Sequence, residues 1–451
     1  MTSTIRFWIM LPAFVTIAST AFASPSTLLP SNISDVIEKG AEQTSLKGAI
    51  GMAWRIEDRE ARDSVGEDKA SAGWSFVEIG LETGSMWNIQ IGAGAVGVQK
   101  LWTSGAFDND DPDDELFDTD VWLENHDAYW TEGYVKYSVP SKSTSFLLGR
   151  ADDKKFGKPV SGDGDFYQGL GITVDTIPHV KIRAHAVNEW TNNASWSWDF
   201  DGIQDGWTNL TDESGYASAP GEDAGRVAYT LMVESEIVED ALWFNPYVQH
   251  QDDVGTGYGT SLRIQKTFDS VTLGMKASYA YFDEKTPNDL WPDDENMDQY
   301  KLNPYANFET KDWRFEAGFG YYRISNDIAP FNSKAEGGDD FEDLFIWDEF
   351  DPMEEDLAKY GEHPNNETWF VHAGADWGPF SLEAIYGWCN HAVIENGSSH
   401  DGEATELDVY LTAAITESIV AELVFVSLDD DYEADGDRSR NYFAGSIAYE
   451  F

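Results

Sequence analysis

Short apolar runs of this chain contain charged side chains, and within a run these charges keep to alternate positions. Alternate residues of a strand project to opposite faces, so the charged members of each run share one face. We predict that this face lines a water-filled passage, in which cationic and anionic rows orient dipolar solutes and favour small ions. The predicted lining residues are Lys47, Arg55, Lys136, Lys181, Arg183, Arg226, Arg263, Lys276 and Arg314, with Glu132, Glu316, Glu383 and Glu422.

The same pattern also has a simpler explanation, because lipid excludes charge. A Lys or Arg at a lipid-facing position near the bilayer midplane costs about 2 to 4 kcal/mol, so any membrane barrel turns its charges inward. The spacing therefore predicts the direction of these side chains and leaves open which of them select a solute.

Residue types that carry out catalysis or bind metal ions are present, but their spacing is wrong for either task. The eight histidines, at 126, 179, 185, 250, 363, 372, 391 and 400, include no zinc-protease pair, and Cys389 with His391 supplies only two ligands. No nucleophile elbow, phosphate-binding loop or dinucleotide fingerprint occurs in its structural context. Among 82 acidic residues, paired carboxylates carry almost no weight as glycosidase evidence. We predict no enzyme, no catalytic residue and no metal site.

Runs of acidic residues, such as 108–115, 293–295 and 429–437, could hold Ca²⁺ through carboxylate oxygens. We favour a solvated acidic surface, which keeps loops soluble. The stretch from Asp431 begins like an EF-hand, but its twelfth position is Tyr442 where Glu is required. The EF-hand is therefore excluded, Ca²⁺ at the outer loops stays an open expectation, and no other cofactor is expected.

The elements that must position the charged residues are about eighteen strands, sixteen being the alternative count. Period-2 alternation continues from residue 44 to the end, and tiny connectors such as 378–379 alternate with long acidic ones such as 103–125, 190–224 and 326–366. This alternation is typical of an all-β, transmembrane antiparallel β-barrel with long extracellular loops and short periplasmic turns. The runs at 144–151, which is short, and at 241–250, which contains Pro246, are the weakest.

The faces of individual runs favour the barrel over its alternative, a secreted β-sandwich. In the last run Phe443 and Ile447 share a lipid-compatible face that ends on an aromatic C-terminal residue, and Trp369 and Trp377 bracket the apolar face of another run. Aromatic residues at both ends of an apolar face are typical of membrane interfaces. A sandwich would leave such faces uncovered.

Three segments make up the chain in this prediction. Residues 1–23 combine Arg6, an apolar stretch and an A-x-A motif, as in a signal peptide that directs export. Residues 24–43 form an N-terminal periplasmic extension, and residues 44–451 form the barrel. Cys389 is the only cysteine, so an intrachain disulfide is impossible.

The formal net charge of −53 is concentrated in the predicted outer loops, over a nearly neutral wall. The segment 326–366 is the longest and most acidic of these loops, and we expect it to fold over or into the pore. Tryptophans in the loop 190–224 could stack on sugar rings, although packing between loops or subunits is the simpler role. No nucleic-acid partner is expected for so acidic a chain.

With the export signal, the eighteen runs and the terminal Tyr449, Glu450 and Phe451 in view, the chain resembles the bacterial outer-membrane porins. The resemblance is nearest to the homotrimeric porins of sulfate-reducing bacteria. It implies a multi-pass barrel of the bacterial outer membrane, a homotrimer in contact with lipid and lipopolysaccharide, and passive diffusion of small hydrophilic solutes or ions. The alternative is a substrate-specific channel for sugars or oxyanions such as sulfate. The acidic loops depart from a simple anion channel.

Overall fold

The computed structural model describes residues 43–60, 67–105, 126–140, 143–156, 166–191, 208–209, 227–251, 255–284, 296–324, 365–395, 398–432 and 436–451. Through these residues run nineteen strands and one short helix. The strands are β1 (Ser45–Glu60), β2 (Glu67–Glu82), β3 (Ile89–Gly105), β4 (His126–Ser138), β5 (Thr144–Asp152), β6 (Phe166–Ile177), β7 (Val180–Thr191), β8 (Thr208–Asn209), β9 (Ala228–Val238), β10 (Leu242–Gln251), β11 (Gly255–Phe268), β12 (Val271–Glu284), β13 (Asn296–Glu309), β14 (Trp313–Ile324), β15 (Asn365–Trp377), β16 (Phe380–Glu395), β17 (Ser398–Thr416), β18 (Ile419–Tyr432) and β19 (Gly436–Glu450), and the helix is α1 (Asp153–Phe156).

Eighteen of these strands close into a single antiparallel ring. The first strand, β1, pairs with β2 on one side and with β19 on the other, which joins the two ends of the sheet. The two-residue strand β8 pairs only with the end of β7, and β9 takes the next place in the wall. Closure gives every wall strand two neighbours and leaves no open edge. The predicted all-β barrel and its count of eighteen are confirmed.

Connector lengths alternate over much of the ring, but the long-loop end also has short connections: the one from β16 to β17 takes two residues, and the one from β18 to β19 takes three. At the turn end, the connections from β15 to β16 and from β17 to β18 take two residues each. At the long-loop end, the connection from β14 to β15 spans residues 325–364. The two weakest predictions, β5 and β10, are both present. None of the helical residues that the structure describes forms a helix long and apolar enough to cross a membrane.

The outer face carries two aromatic girdles separated by an apolar band. At the long-loop end Tyr258 lies 5.0 Å from Tyr281, Tyr300 lies 5.7 Å from Tyr321, and Tyr321 lies 4.6 Å from Trp369, measured between ring centroids. At the turn end Trp313 stacks with Phe315 at 5.5 Å and with Trp377 at 5.8 Å, and Trp377 contacts Phe380 at 5.6 Å. Between the girdles the outward side chains are apolar and exposed, as contact with acyl chains requires.

The inner face is more apolar than the sequence led us to expect. Inward side chains on β1–β3 form a buried cluster that includes Trp74, Phe76 and Val96. A second cluster on β15–β18 includes Phe370 and Ile385. Water therefore does not line the whole inner wall, because part of this wall packs against its own side chains.

Several predictions concern residues that lie outside the described part of the chain. They are the signal peptide, the N-terminal extension apart from Gln43, the lining residue Arg226, the acidic runs 108–115 and 293–295, and almost all of the loops 190–224 and 326–366.

Neighbouring residues on opposite faces of β15 allow a direct test of the barrel. Ala373 faces outward at the midpoint between Trp369 and Trp377, and Gly374 faces inward. We expect Ala373→Arg to lower the free energy of unfolding in lipid vesicles by about 2 to 4 kcal/mol, the cost of a lipid-facing cation near the midplane. Gly374→Arg, the matched control, avoids this cost. Equal losses in urea titrations would contradict the assigned faces.

Candidate functional site

The structure places the predicted lining residues on the inward phase of the wall, apart from Arg226. They are Lys47 and Arg55 on β1, Glu132 and Lys136 on β4, Lys181 and Arg183 on β7, Arg263 on β11, Lys276 on β12, Arg314 and Glu316 on β14, Glu383 on β16, and Glu422 on β18. A β-bulge opposite Gly94 and Ala95 sets the phase of β4, so that Trp130 points outward and Glu132 inward. Whether each residue selects solutes is a separate question.

Inward cations occur on several parts of the ring, and one group of them lies on neighbouring strands. Four consecutive strands, β11 to β14, each contribute one: Arg263, Lys276, Lys301 and Arg314. We call these residues, with Lys181 and Arg183 on β7, the basic arc. Arg263 and Lys276 are direct cross-strand neighbours, so their charges reinforce each other at one height in the wall.

Inward carboxylates dominate the next strands around the ring. These residues, here called the acidic arc, are Asp376, Glu383, Glu406, Asp408, Glu422 and Glu450 on β15–β19. The stretch from residue 365 to residue 432 contains neither Lys nor Arg. From β11 to β19 the wall is therefore electrically divided, with cations on β11–β14 and carboxylates on β15–β19. The strands that follow carry both signs, as in Arg55 on β1 and Glu132 and Lys136 on β4.

Cations at the two ends of the basic arc are paired with carboxylates. Glu234 accepts from Lys181 Nζ at 3.1 Å and from Arg183 Nε at 2.5 Å, so this triad carries one net positive charge. Arg314 lies 3.5 Å from Glu316 and 4.0 Å from Asp376, where the two arcs meet. These partners reduce the field that Arg183 and Arg314 exert in the lumen.

In the middle of the basic arc, aromatic rings position the cations. The guanidinium of Arg263 lies 4.0 Å above the ring of Trp243, and Lys276 Nζ lies 5.4 Å above the ring of Tyr305. A ring face attracts a cation without cancelling its charge. Both cations are partly exposed, whereas Tyr305 beneath Lys276 is buried. The rings hold both cations on the inner wall.

A buried polar pair lies beside these cations. Asn303 is the direct cross-strand neighbour of Lys276, and its amide nitrogen donates to His372 Nε2 at 3.2 Å and to two backbone carbonyls. This orientation of the amide satisfies both partners. Gly318, opposite His372, leaves the space that the imidazole occupies. The pair holds β13 and β15 together where the wall changes sign.

The connector that follows β5 turns into the lumen and forms α1. Asp152 caps this helix, since its carboxylate accepts from the Lys155 backbone N–H at 2.6 Å. Lys155 Nζ then bonds Asp152 and Glu132. Burial alone would lower the pKa of the Lys155 ammonium, but the two carboxylates outweigh it and hold this pKa above its usual value. The ion pairs fasten α1 to the inside of β4.

Phe156 anchors the other end of α1. Its side chain is 1% exposed and meets Tyr167 and His185 edge-on, at centroid distances of 6.4 and 6.1 Å. Its carbonyl accepts from His185 Nε2 at 2.5 Å and from Arg183 at 3.5 Å. The segment is thus held by packing, by a buried hydrogen bond and by ion pairs, and it narrows the lumen on the side of β4–β7.

The role of α1 was missed in the sequence, where the loop 326–366, which lies almost entirely outside the described residues, is the one expected to fold over or into the pore. A signal was present: Asp152 in a capping position before Lys155 and an isolated Phe in an otherwise polar connector. Within the described residues, no group of three or more His, Cys, Asp or Glu side chains is arranged to hold a metal ion. Cys389 is buried.

Comparison with known proteins identifies the fold. No protein-family model and no curated protein matches the chain. OpdK of Pseudomonas aeruginosa, solved with vanillate, has a TM-score of 0.61 at 12% identity, and the match covers 90% of this chain and 99% of OpdK. OccK9 of the same species has a TM-score of 0.61 at 13% identity, covering 91% and 100%. OccAB1 of Acinetobacter baumannii has a TM-score of 0.60 at 10% identity, covering 90% and 97%.

OpdK is described as an outer membrane protein. The fold is that of an outer-membrane porin. The predicted outer-membrane location of this multi-pass barrel is confirmed by its eighteen-strand fold, which matches solved outer-membrane barrels. The finer resemblance to porins of sulfate-reducing bacteria is not shown by these structures.

The anchoring of α1 can be tested through Phe156. We expect Phe156→Ala to cost about 3 to 5 kcal/mol of stability, as for other buried Phe side chains. Because α1 lies in the lumen, its release should also increase open-channel current noise in planar bilayers. Phe268→Ala, an exposed outer-face residue at the turn end, is the control. Unchanged noise in a Phe156→Ala channel would contradict the anchoring role.

Proposed function

We propose that this chain forms a solute-selective channel through the outer membrane, which sorts small dipolar solutes by the field across its lumen. The observation that carries the proposal is the division of the wall into a basic arc and an acidic arc. A barrel of 16 to 18 strands is wide enough to leave an aqueous passage.

The field acts on solutes that have charges of both signs, or one charge and a polar remainder. Two unit charges 4 Å apart interact by about 1 kcal/mol in bulk water and about 4 kcal/mol at an effective dielectric constant of about 20. A solute between the arcs therefore turns its negative group toward Arg263 and Lys276 and its positive group toward Glu383 and Glu422. An unsuitable solute meets repulsion from one side in either orientation.

The helix α1 adds a steric filter to the electrostatic one. It holds Phe156 against the wall and Lys155 between two carboxylates. Because these groups project from one side, a solute passes between α1 and the opposite wall. Transport needs no catalytic step, since the solute moves down its concentration gradient.

Structural neighbours support a channel with substrate preference over an unselective one. One of them, OpdK of Pseudomonas aeruginosa, was solved with vanillate, an aromatic carboxylate. For this chain we propose small carboxylates and zwitterions as the first solutes to test, followed by sulfate and sugars. Assembly as a trimer, contact with lipopolysaccharide and Ca²⁺ at the outer loops are further proposals that rest on the sequence.

Charge removal from each arc tests the field. In bilayers under a salt gradient, Lys276→Gln should shift the reversal potential toward cation preference, and Glu422→Gln should shift it toward anion preference. Lys266→Gln is the matched control, because Lys266 lies on the outward phase of the neighbouring strand β11. Shifts of the same sign for both arcs, or an equal shift for Lys266, would refute a divided lumen.

Charge reversal at Arg183 and Arg314 provides a second test of the field. Each has a carboxylate partner, so we expect Arg183→Glu and Arg314→Glu to move the reversal potential toward cations as well, because each leaves acids unpaired. If both leave it unmoved, their place in the selectivity wall is wrong.

Solute preference itself is measured by block of the ionic current. A substrate-specific channel should show saturable block by a small carboxylate such as vanillate, weaker block by a neutral analogue of the same size, and loss of the difference in Arg263→Gln. An unselective porin, the coarser alternative, would show no saturable block by any solute.

A further inference from the structure

Aromatic rings on the inner wall lie over glycines of the neighbouring strand. The pairs are Gly92 with Tyr134, Gly259 with Tyr247, Gly274 with Tyr305, and Gly320 with Phe370. In each pair the two residues face each other directly across the ladder. A Cβ added to any of these glycines would lie within 3.0 Å of ring atoms. We call these glycines the notches.

At a notch, the aromatic ring packs directly against the backbone of the glycine. A Cβ at that position would keep the ring farther from the backbone. At Gly274 the three nearest atoms to such a Cβ all belong to the phenol of Tyr305, and at Gly259 all belong to Tyr247. No strand backbone is among them. A methyl group at either position would therefore displace the ring toward the barrel axis and leave the ladder in place.

One of these rings, Tyr305, also lies beneath a cation of the basic arc. Lys276 lies above Tyr305, and the Tyr305 hydroxyl donates to Gln265 Oε1 at 2.9 Å. Arg263 lies next to both interactions, because it faces Lys276 across the ladder and precedes Gln265 by two residues on β11. The inner wall at this point has two layers, a recessed ring and a cation above it. The depth of the first layer sets the height of the second.

We propose that Gly274 and Gly259 are positioning residues of the solute path. They recess Tyr305 and Tyr247 and so determine the free bore beside the basic arc; Gly274, through Tyr305, also determines the distance of Lys276 from a passing solute. The proposal rests on the proposed channel function for its readout, and it adds residues that carry no charge and touch no solute.

A purely structural role is the competing explanation, because a ring over a strand glycine also covers the backbone and compensates for the missing side chain. The two explanations differ in what a folded variant does. A structural notch affects stability alone, whereas a positioning notch changes the current through channels that fold and insert normally.

The test is single-channel recording of Gly274→Ala in planar bilayers. We expect lower conductance than in the wild type and a shifted reversal potential under a salt gradient. Gly374→Ala is the matched control: Gly374 also lies on the inner wall, but a Cβ there would meet only the Leu382 carbonyl oxygen at 3.7 Å. Heat-modifiable migration on gels verifies that both variants are folded. Wild-type conductance in folded Gly274→Ala channels overturns the proposal.

Removal of the ring provides the second arm. Tyr305→Ala should raise conductance, and the double variant Gly274→Ala, Tyr305→Ala should match Tyr305→Ala, because no ring remains to be displaced. A double variant as low as Gly274→Ala overturns the proposal. If Gly274→Ala fails to fold, Tyr305→Ala alone decides: unchanged conductance and reversal potential overturn it.

The result of the Gly274→Ala test can be distinguished from the result of the Lys276→Gln test of selectivity. If Lys276→Gln leaves the reversal potential unmoved, the divided field is wrong, but a conductance loss in Gly274→Ala still supports control of the bore by the notch. If Lys276→Gln shifts the potential and Gly274→Ala behaves as Gly374→Ala, the field stands and the notch has no part in the solute path.

Discussion

The inability of lipid to accept hydrogen bonds is the constraint on which this structure depends. A sheet that crosses the hydrocarbon layer must pair every backbone N–H and C=O within itself, and only a closed barrel does so with strands. The pairing of β1 with β19 meets this requirement. Because strand side chains alternate, closure also separates them into an outer set in contact with acyl chains and an inner set enclosed by the wall.

This separation explains why charge can be organised inside the barrel. Low polarity outside forbids outward cations near the midplane, so Arg263, Lys276, Arg314 and their counterparts point inward whatever their role. The exclusion of charge from lipid does not require any particular order of these charges around the ring, and the fold provides one. Cations occupy consecutive strands, carboxylates occupy the next ones, and the two meet at Arg314 and Asp376. The division of the lumen is therefore a property of strand order.

The shape of the inner wall also depends on side-chain size. Glycines opposite aromatic residues recess the rings, rings position cations, and α1 brings Lys155 and Phe156 in from a connector. These devices explain how an apolar inner layer coexists with a polar lumen. The large buried residues Trp74 and Phe76 complete that layer on the opposite strands. Bore and charge are thus set by different residues, which can be varied separately.

The sequence by itself determined the strands, their number, the alternation of connectors and the inward direction of charges such as Lys276 and Glu422, because period-2 patterning and lipid exclusion act locally. Only the tertiary structure decided that Arg263 neighbours Lys276, that Glu234 compensates Arg183, and that Phe156 enters the lumen. Those relations join residues on different strands, and the register between strands follows from turn geometry, ring closure and bulges that shift the phase of a strand. The residue pattern of one strand does not determine its register relative to the neighbouring strand.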